Sequence, residues 1–362
     1  MDLSETGNHV FLGLQPFPRL QDKDKYLLDA VKPAGVILFK SNFLHDVNYE
    51  VWLDNHRQFV AEIRETVGRQ KLIIATDHEG GRVCRTPAPI TRFKSACDWA
   101  EHAGEIGTAM GTELASIGLN MNFAPVMDIH TNPENPVIGA RSFGSTPERV
   151  SKSGAALIKG LHSENVWACA KHFPGHGDTD VDSHYALPRV DLALEEIDQR
   201  ELVPFRAAIE QGIRVIMTSH ILFPQIDPDY PATLSHAITT GLLRRKLGYD
   251  GVIVSDDIGM HAMDRYFDKS QAARQFLEAG NDMLMICAHF TDTERIIELA
   301  GAMREAMKDD HFREHVHEPS KKRVQKLLED TIMPDVVSLP KAIFDKHASI
   351  AGVFGDQTAE VM

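Results

Sequence analysis

The densest group of ionisable residues in the sequence is the stretch KHFPGHGDTDVDSH, which runs from Lys171 to His184. Its two glycines and its proline predict a loop of defined shape. A carboxylate that accepts a hydrogen bond from one imidazole nitrogen fixes the tautomer and raises the basicity of the other nitrogen. The neighbouring Asp182 and His184 therefore form a candidate acid/base unit, which would protonate a leaving group and later deprotonate water.

Metal binding is the alternative for the same stretch. Zinc sites use histidine and aspartate side chains. The candidate ligands are His172, His176, Asp178, Asp182 and His184. However, the stretch lacks the HExxH spacing of a helical zinc site, and a glycine-rich loop holds ligands poorly. The sequence therefore favours acid/base chemistry, with neither a metal ion nor an organic cofactor.

A pair of carboxylates, Asp256-Asp257, directly follows the apolar run Gly251–Ser255. Adjacent strand residues point to opposite sides, so we expect only one of the two to face a functional site. That carboxylate could be a nucleophile, a general base or a metal ligand. The structural alternative is an N-cap for the following helix.

Two further segments carry candidate substrate contacts. In DHEGGRVCR, which follows another apolar run, adjacent glycines allow a sharp turn, and Asp77 and Arg85 could bind substrate hydroxyl groups. Arg141 lies in a loop punctuated by proline and glycine. A lone arginine in such a loop is more often a surface or bracing residue than a ligand contact.

Eight short apolar runs, which alternate with amphipathic stretches, must position these residues. The runs do not alternate with polar residues, which is typical of strands buried on both faces of a parallel sheet. The predicted strands are His9–Leu14, Gly35–Phe39, Leu72–Thr76, Asn120–Asp128, Ala168–His172, Val215–Ser219, Gly251–Ser255 and Asp282–Ala288. The predicted helices are Asn48–Val67, Ala100–Ile117, Pro147–Ser163, Ala193–Gln211 and Ser270–Ala279.

This alternation predicts an α/β fold, either a (β/α)8 TIM-type barrel or a doubly wound sheet. Polar residues follow five of the runs, which favours the barrel, because all its strands end at one mouth. We predict a single barrel domain over residues 1–335. The pattern fades after about Pro334, and 336–362 is predicted to be a C-terminal extension of unknown structure, with a loose tail from Phe354.

The net charge of −14 argues against binding to nucleic acid and gives no indication of anionic lipid. The four cysteines are widely spaced, as in a reduced cytosolic protein. The N-terminus lacks the features of a signal peptide, and no apolar run approaches the ~18 residues of a membrane span. A cytoplasmic protein without membrane contact is therefore expected.

The motifs together resemble glycoside hydrolase family 3, specifically its single-domain β-N-acetylglucosaminidases of bacterial peptidoglycan recycling. The resemblance covers about His9 to Met333. Its segments are TDHEGGRVCR, NFAPVMDI, NPVIGARSFG, KHFPGHGDTDVDSH, MTSHILFP and VIVSDDIGM. The sequence departs from the family pattern at His78 and Cys84, where glutamine is frequent, and at Ile258-Gly259, where Leu-Ser is frequent.

The resemblance implies a role for each matched residue. Asp256 corresponds to the nucleophile, His184 to the acid/base and Asp182 to its partner. The positions that correspond to sugar-binding residues are Asp77, Arg85, Arg141, Lys171 and His172.

The expected activity is retaining hydrolysis of terminal β-linked N-acetylglucosamine. The resemblance implies N-acetylglucosaminyl-1,6-anhydromuramic acid, with or without peptide, as the substrate, and no obligatory protein partner is predicted. Three alternatives are a phosphorylase that uses phosphate in place of water, a metal-dependent hydrolase, and a sugar-binding barrel without catalysis.

Overall fold

The computed structural model describes residues 2–180, 187–259, 263, 269–287 and 293–353. The strands are β1 (Val10–Gly13), β2 (Gly35–Leu38), β3 (Ile73–Thr76), β4 (His78–Gly80), β5 (Val83–Cys84), β6 (Met121–Asn122), β7 (Trp167–Phe173), β8 (Val215–Thr218), β9 (Val252–Ser255) and β10 (Leu284–Ile286).

Eight of these strands form one parallel sheet in the order β10-β1-β2-β3-β6-β7-β8-β9. The two outer strands of this order, β9 and β10, approach each other, because Val254 of β9 forms a parallel bridge with Met283, the residue before β10. This bridge nearly closes the barrel. Strands β4 and β5 form a separate antiparallel ribbon at the end of β3. The predicted (β/α)8 barrel is confirmed, and each of the eight predicted runs overlaps one of its strands.

The principal helices surround the sheet. They are α1 (Asp22–Val31), α2 (Tyr49–Val67), α3 (Ala96–Trp99), α4 (Ala103–Ser116), α5 (Pro147–Ser163), α6 (Leu194–Gln199), α7 (Leu202–Glu210), α8 (Ala237–Lys246, of π type), α9 (Lys269–Glu278), α10 (Thr293–Ala306), α11 (Asp310–Phe312), α12 (Glu318–Asp330) and α13 (Lys341–Val353). Local sequence explains several ends. The side chains of Asn48 and Thr146 cap the N-termini of α2 and α5, and Gly68 ends α2 with a positive φ.

Most predicted bounds differ from the observed ones by one to three residues, and two predicted elements differ more. The run Asn120–Asp128 forms a regular strand only over β6. Beyond Pro125, which has no N–H to donate to the ladder, it pairs with β7 through a single bridge between Val126 and Lys171. The predicted helix Ala193–Gln211 is broken at Arg200, where the backbone leaves the helical region. The side chains of Arg200 and Glu201 instead form an ion pair beside the loop that follows β7.

Strand residues contribute alternately to two apolar cores. Phe11, Ile73 and Val252 belong to the cluster inside the barrel, whereas Leu12 and Ile74 belong to the cluster between the sheet and the helices. Both faces of each strand are thus buried in apolar surroundings. This explains why the apolar runs of the sequence lack polar alternation.

The C-terminal extension begins by packing on the barrel. Val336 makes an antiparallel bridge with Ile117, and α13 contacts α4. The predicted division of the chain at residue 335 stays a prediction, and residues 354–362 lie outside the described residues. Within the described ranges, no helix is both long and apolar enough to cross a membrane.

Candidate active site

Strand alternation places three of the predicted site residues on the inner side of the barrel mouth. Ala75, Cys169 and Val254 belong to the interior cluster near the ends of β3, β7 and β9. Side chains two positions apart on a strand share a side. The residues two positions later are Asp77, Lys171 and Asp256. The same alternation selects Asp256, and not Asp257, as the carboxylate that faces the mouth.

Lys171 is a buried ammonium between two carboxylates. Its Nζ atom lies 2.8 Å from Asp77 Oδ1 and 2.6 Å from Glu79 Oε1. Burial disfavours the charged form, but the charges of Asp77 and Glu79 outweigh it and raise the pKa of Lys171. Lys171 therefore remains a cation that can donate hydrogen bonds to a bound ligand.

Glu79 links Lys171 to Arg141. The Arg141 guanidinium donates to both Glu79 oxygens, from Nε and from Nη2, each at 2.8 Å. Although burial opposes ionisation of Glu79, the charges of Arg141 and Lys171 hold its pKa below the usual range. Arg141 thus joins the predicted site through Glu79, to which the sequence analysis assigned no role. The available signal was its position two residues after Asp77, on the same side of the extended chain.

Arg85 lies at the outer edge of this group. Its Nε atom is 4.0 Å from Asp77 Oδ2, and about a third of its side chain is exposed. Together with Lys171, it places cations on either side of the Asp77 carboxylate. Such an arrangement offers both donors and acceptors to the hydroxyl groups of a saccharide.

His172 is oriented by Asp128, a second residue to which the sequence analysis assigned no role. His172 Nδ1 lies 2.7 Å from Asp128 Oδ2, and the backbone N–H groups of His172 and His176 donate to Asp128 Oδ1. Burial opposes ionisation of Asp128, but the charge of His172 lowers its pKa. Because a carboxylate only accepts, His172 donates through Nδ1 and its Nε2 atom is left for other partners.

Asp256 and Asp257 differ in their electrostatic environment. Burial opposes ionisation of Asp256, but the charges of His172 and His220 prevail and lower its pKa. Burial raises the pKa of Asp257, whose Oδ1 atom accepts from the backbone N–H groups of Gly259 and Cys287. Asp256 is therefore the carboxylate suited to remain an anion at the mouth, and Asp257 braces the loop.

The predicted acid/base pair, Asp182 and His184, lies outside the described residues. The loop that leads to it is held firmly. Asn135 Nδ2 donates to the carbonyls of His176 and Gly177, and Arg200 pairs with Asp178. A Cβ atom on Gly177 would collide with the Ile129 carbonyl, which explains the need for glycine there.

The described residues contain no group of three or more histidine, cysteine, aspartate or glutamate side chains arranged to hold a metal ion. The predicted sugar-binding residues nevertheless form one connected set. Asp77, Arg85, Lys171 and Arg141 are linked through Asp77 and Glu79. Asp256 is coupled electrostatically to Lys171 and His172.

Known proteins resemble this chain over most of its length. The family profile described as "Glycosyl hydrolase family 3 N terminal domain" matches residues 9–327. A protein named beta-hexosaminidase from Neisseria meningitidis serogroup C is 37% identical over 281 residues, which are 74% of this chain and 75% of that protein. Beta-hexosaminidase A from Pseudoalteromonas piscicida is 35% identical over 318 residues, 81% of this chain. The chain spans about half the length of that relative, 53%.

Solved structures show the same fold. A family 3 β-N-acetylglucosaminidase from a Paenibacillus species superposes with a TM-score of 0.86 at 33% identity, covering 97% of this chain and 67% of that one. NagZ from Neisseria gonorrhoeae superposes with a TM-score of 0.78 at 30% identity and covers 97% of this chain and 99% of its own. The similarity therefore extends over the whole barrel.

Proposed function

Since this chain belongs to glycosyl hydrolase family 3, and is therefore a glycoside hydrolase, we propose that it is a retaining exo-β-N-acetylglucosaminidase with Asp256 as nucleophile. The observation that carries the proposal is the environment of Asp256. Its carboxylate lies half-buried directly after β9, on the inner side of the barrel, and the charges of His172, His220 and Lys171 lower its pKa. Relatives that match most of the chain bear the name β-hexosaminidase.

In the proposed mechanism, Asp256 attacks the anomeric carbon while His184 protonates the departing oxygen. The glycosidic bond breaks as a covalent bond forms between the sugar and Asp256, through an oxocarbenium-like transition state. His184 then removes a proton from water, which displaces Asp256 and restores the β configuration. Asp182 holds the tautomer of His184. A histidine replaces the second carboxylate of the usual retaining pair.

The remaining residues of the site would bind the sugar. Asp77 accepts from hydroxyl groups, Lys171 and Arg85 donate to them, and His172 contacts them through Nε2. Arg141 acts mainly by holding Glu79, which in turn orients Lys171. Charge-assisted hydrogen bonds of this kind contribute about 1.5–3 kcal/mol each. If they strengthen as the ring distorts, they accelerate the reaction in addition to binding the substrate.

We further propose N-acetylglucosaminyl-1,6-anhydromuramic acid, with or without peptide, as the natural substrate, and the cytoplasm as the place of action. The first is supported by the resemblance to peptidoglycan-recycling enzymes, and the second by the amino-acid sequence. No partner besides this saccharide is proposed.

The test is hydrolysis of a chromogenic β-N-acetylglucosaminide with and without inorganic phosphate, followed by NMR of the first-formed product. We expect β-N-acetylglucosamine as the initial product, at a rate independent of phosphate. An initial α product would refute the retaining mechanism. A sugar phosphate as the main product would identify a phosphorylase. Absence of turnover, with saccharide binding retained, would identify a binding protein.

A further inference from the structure

Helix α13 lies beyond residue 327, where the family match ends, yet three of its described residues, Phe344, His347 and Ala351, are buried. Phe344 packs edge-on against Tyr49 with ring centroids 5.4 Å apart. His347, 6% exposed, lies against Glu113 of α4, which is fully buried. A buried carboxylate needs hydrogen-bond donors, so the contact between His347 and Glu113 matters more than an exposed pair would.

Glu113 is the centre of a hydrogen-bonded group. His347 Nδ1 lies 2.7 Å from Glu113 Oε1, and a carboxylate only accepts, so His347 is the donor. Thr91 donates to the same carboxylate twice, from its backbone N–H at 2.6 Å and from Oγ1 at 2.7 Å. The position of Thr91 is therefore determined by the position of Glu113, on which His347 acts from the opposite helix.

Thr91 in turn holds His78. The Thr91 carbonyl accepts from His78 Nε2 at 3.2 Å, and Cys84 Sγ and Thr86 Oγ1 each lie 3.3 Å from His78 Nδ1. The backbone of His78 is clamped from the other side by Asn122, which bonds both its N–H and its carbonyl at 2.9 Å. His78 is thus fixed at every polar atom.

His78 separates the two carboxylates that hold Lys171. Its side chain points into the protein, and adjacent residues in an extended chain point to opposite sides. Asp77 and Glu79 therefore face the barrel mouth, where each contacts Lys171. A shift of His78 along its hydrogen bonds would move both carboxylates together relative to Lys171.

We infer that His347 is a positioning residue for the saccharide site, acting through Glu113, Thr91 and His78 on the placement of Asp77 and Glu79. The inference rests on the sugar-binding role proposed for Asp77 and Lys171. His347 lies outside the region matched by the family profile, which ends at residue 327.

The experiment compares His347→Ala with His347→Asn in the full chain, using a chromogenic β-N-acetylglucosaminide and inhibition by N-acetylglucosamine. The asparagine amide nitrogen can occupy the position of Nδ1 and keep the donor, whereas alanine removes it. A small misplacement far from the reacting atoms can cost about 10²-fold. We expect His347→Ala to lower kcat/KM by about 10-fold or more, to weaken inhibition by N-acetylglucosamine, and His347→Asn to restore most of both.

Phe344→Leu is the matched control on the same helix. It removes the ring contact with Tyr49 and should lower the Tm, but it leaves the hydrogen-bonded group intact and should keep kcat/KM within about twofold. If His347 only stabilises the fold, all three variants should have a lower Tm, and kcat/KM should not distinguish His347→Ala from His347→Asn and Phe344→Leu. Thr91→Val removes one donor to Glu113 and keeps the side-chain shape. Its kcat/KM tests the same connection if His347→Ala does not fold.

The inference is overturned if kcat/KM of His347→Ala and of Thr91→Val stays within twofold of the parent, if asparagine does not restore it, or if Phe344→Leu loses as much. Asp77→Asn, measured in parallel, shows whether a negative result contradicts the positioning role of His347 or the proposed saccharide site. A loss in Asp77→Asn without a loss in His347→Ala contradicts the positioning role only. Unchanged activity in Asp77→Asn contradicts the saccharide site itself.

Discussion

Glu79→Gln should be among the most damaging single substitutions in this protein, because one carboxylate is the common partner of two buried cations. The Glu79 side chain is 3% exposed, accepts twice from Arg141 at 2.8 Å and lies 2.6 Å from Lys171. Glutamine keeps the shape of the side chain but removes its charge, and it turns an amide donor towards a guanidinium or an ammonium. Lys171 would then depend on Asp77 alone for a close counter-charge among the described residues.

Removal of one partner from a buried ion pair costs about 3–5 kcal/mol. Since two cations are affected here, we expect Glu79→Gln to lower the free energy of unfolding by about 4–5 kcal/mol at pH 7. The loss should depend on pH. The pKa of Glu79 is held below its ordinary value of 4.5, so its ionisation stabilises the fold above that pH. The stabilisation fades as the pH falls from 4.5 towards the depressed pKa, and the difference between parent and variant should shrink with it.

Urea unfolding of both proteins between pH 3 and 8 measures this difference, and the double variant with Arg141→Met measures the coupling. Asp191→Asn is the control, because Asp191 accepts from Arg189 with the same two-bond geometry in an exposed position. That variant should unfold like the parent. Equal stability of Glu79→Gln and the parent, or a difference that does not change with pH, would refute the reasoning.

Three further predictions concern the chemistry and the loop that follows β7. Asp256→Asn should lower kcat by roughly 10⁴-fold or more while substrate still binds, and a fluorinated sugar should label Asp256 in the parent; a label on Asp257, or none, would contradict the assignment. His184→Ala should lower kcat/KM by ~10²–10⁴-fold on a disaccharide and far less on a dinitrophenyl glycoside. Asp182→Ala should lower kcat/KM in the same pattern, but by a smaller factor. Equal losses on both substrates would rule out acid catalysis by His184. Burial raises the pKa of Glu201 to about 7, so the free energy of unfolding of the parent should fall as the pH rises from about 4.5 through 7. Glu201→Gln should remove that fall. If urea unfolding gives the same pH dependence for the parent and the variant, the raised pKa is contradicted.

The order of elements was predictable from the sequence because their patterns are local. Apolar runs such as Gly35–Phe39 lack polar alternation since their two faces pack in two different apolar cores. Helix starts carry local signals, such as the N-cap Asn48 of α2 and Pro147 in the first turn of α5. The candidate site followed from the same logic, because polar residues after parallel strands must gather at one end of a barrel.

Family motifs extended this prediction to individual residues. Asp77, Lys171, Arg141 and His172 were selected by matching segments. The tertiary structure links the first three through Asp77 and Glu79 and holds His172 separately through Asp128. Alternation on β9 also agrees with the choice of Asp256 over its neighbour. The catalytic roles of these residues, and of Asp182 and His184, stay predictions for the experiments above.

Only the tertiary structure could decide which charges pair. The bidentate link between Glu79 and Arg141 joins residues 62 positions apart, and the single hydrogen bond between His347 and Glu113 joins residues 234 positions apart. No local pattern records such contacts, because they depend on the relative placement of whole elements. The break at Arg200 likewise has no local signal, and at this point the Arg200 side chain pairs with Asp178 of the loop after β7. The sequence by itself determined the barrel and the residues at its mouth, and the packing of distant elements decided how those residues are held.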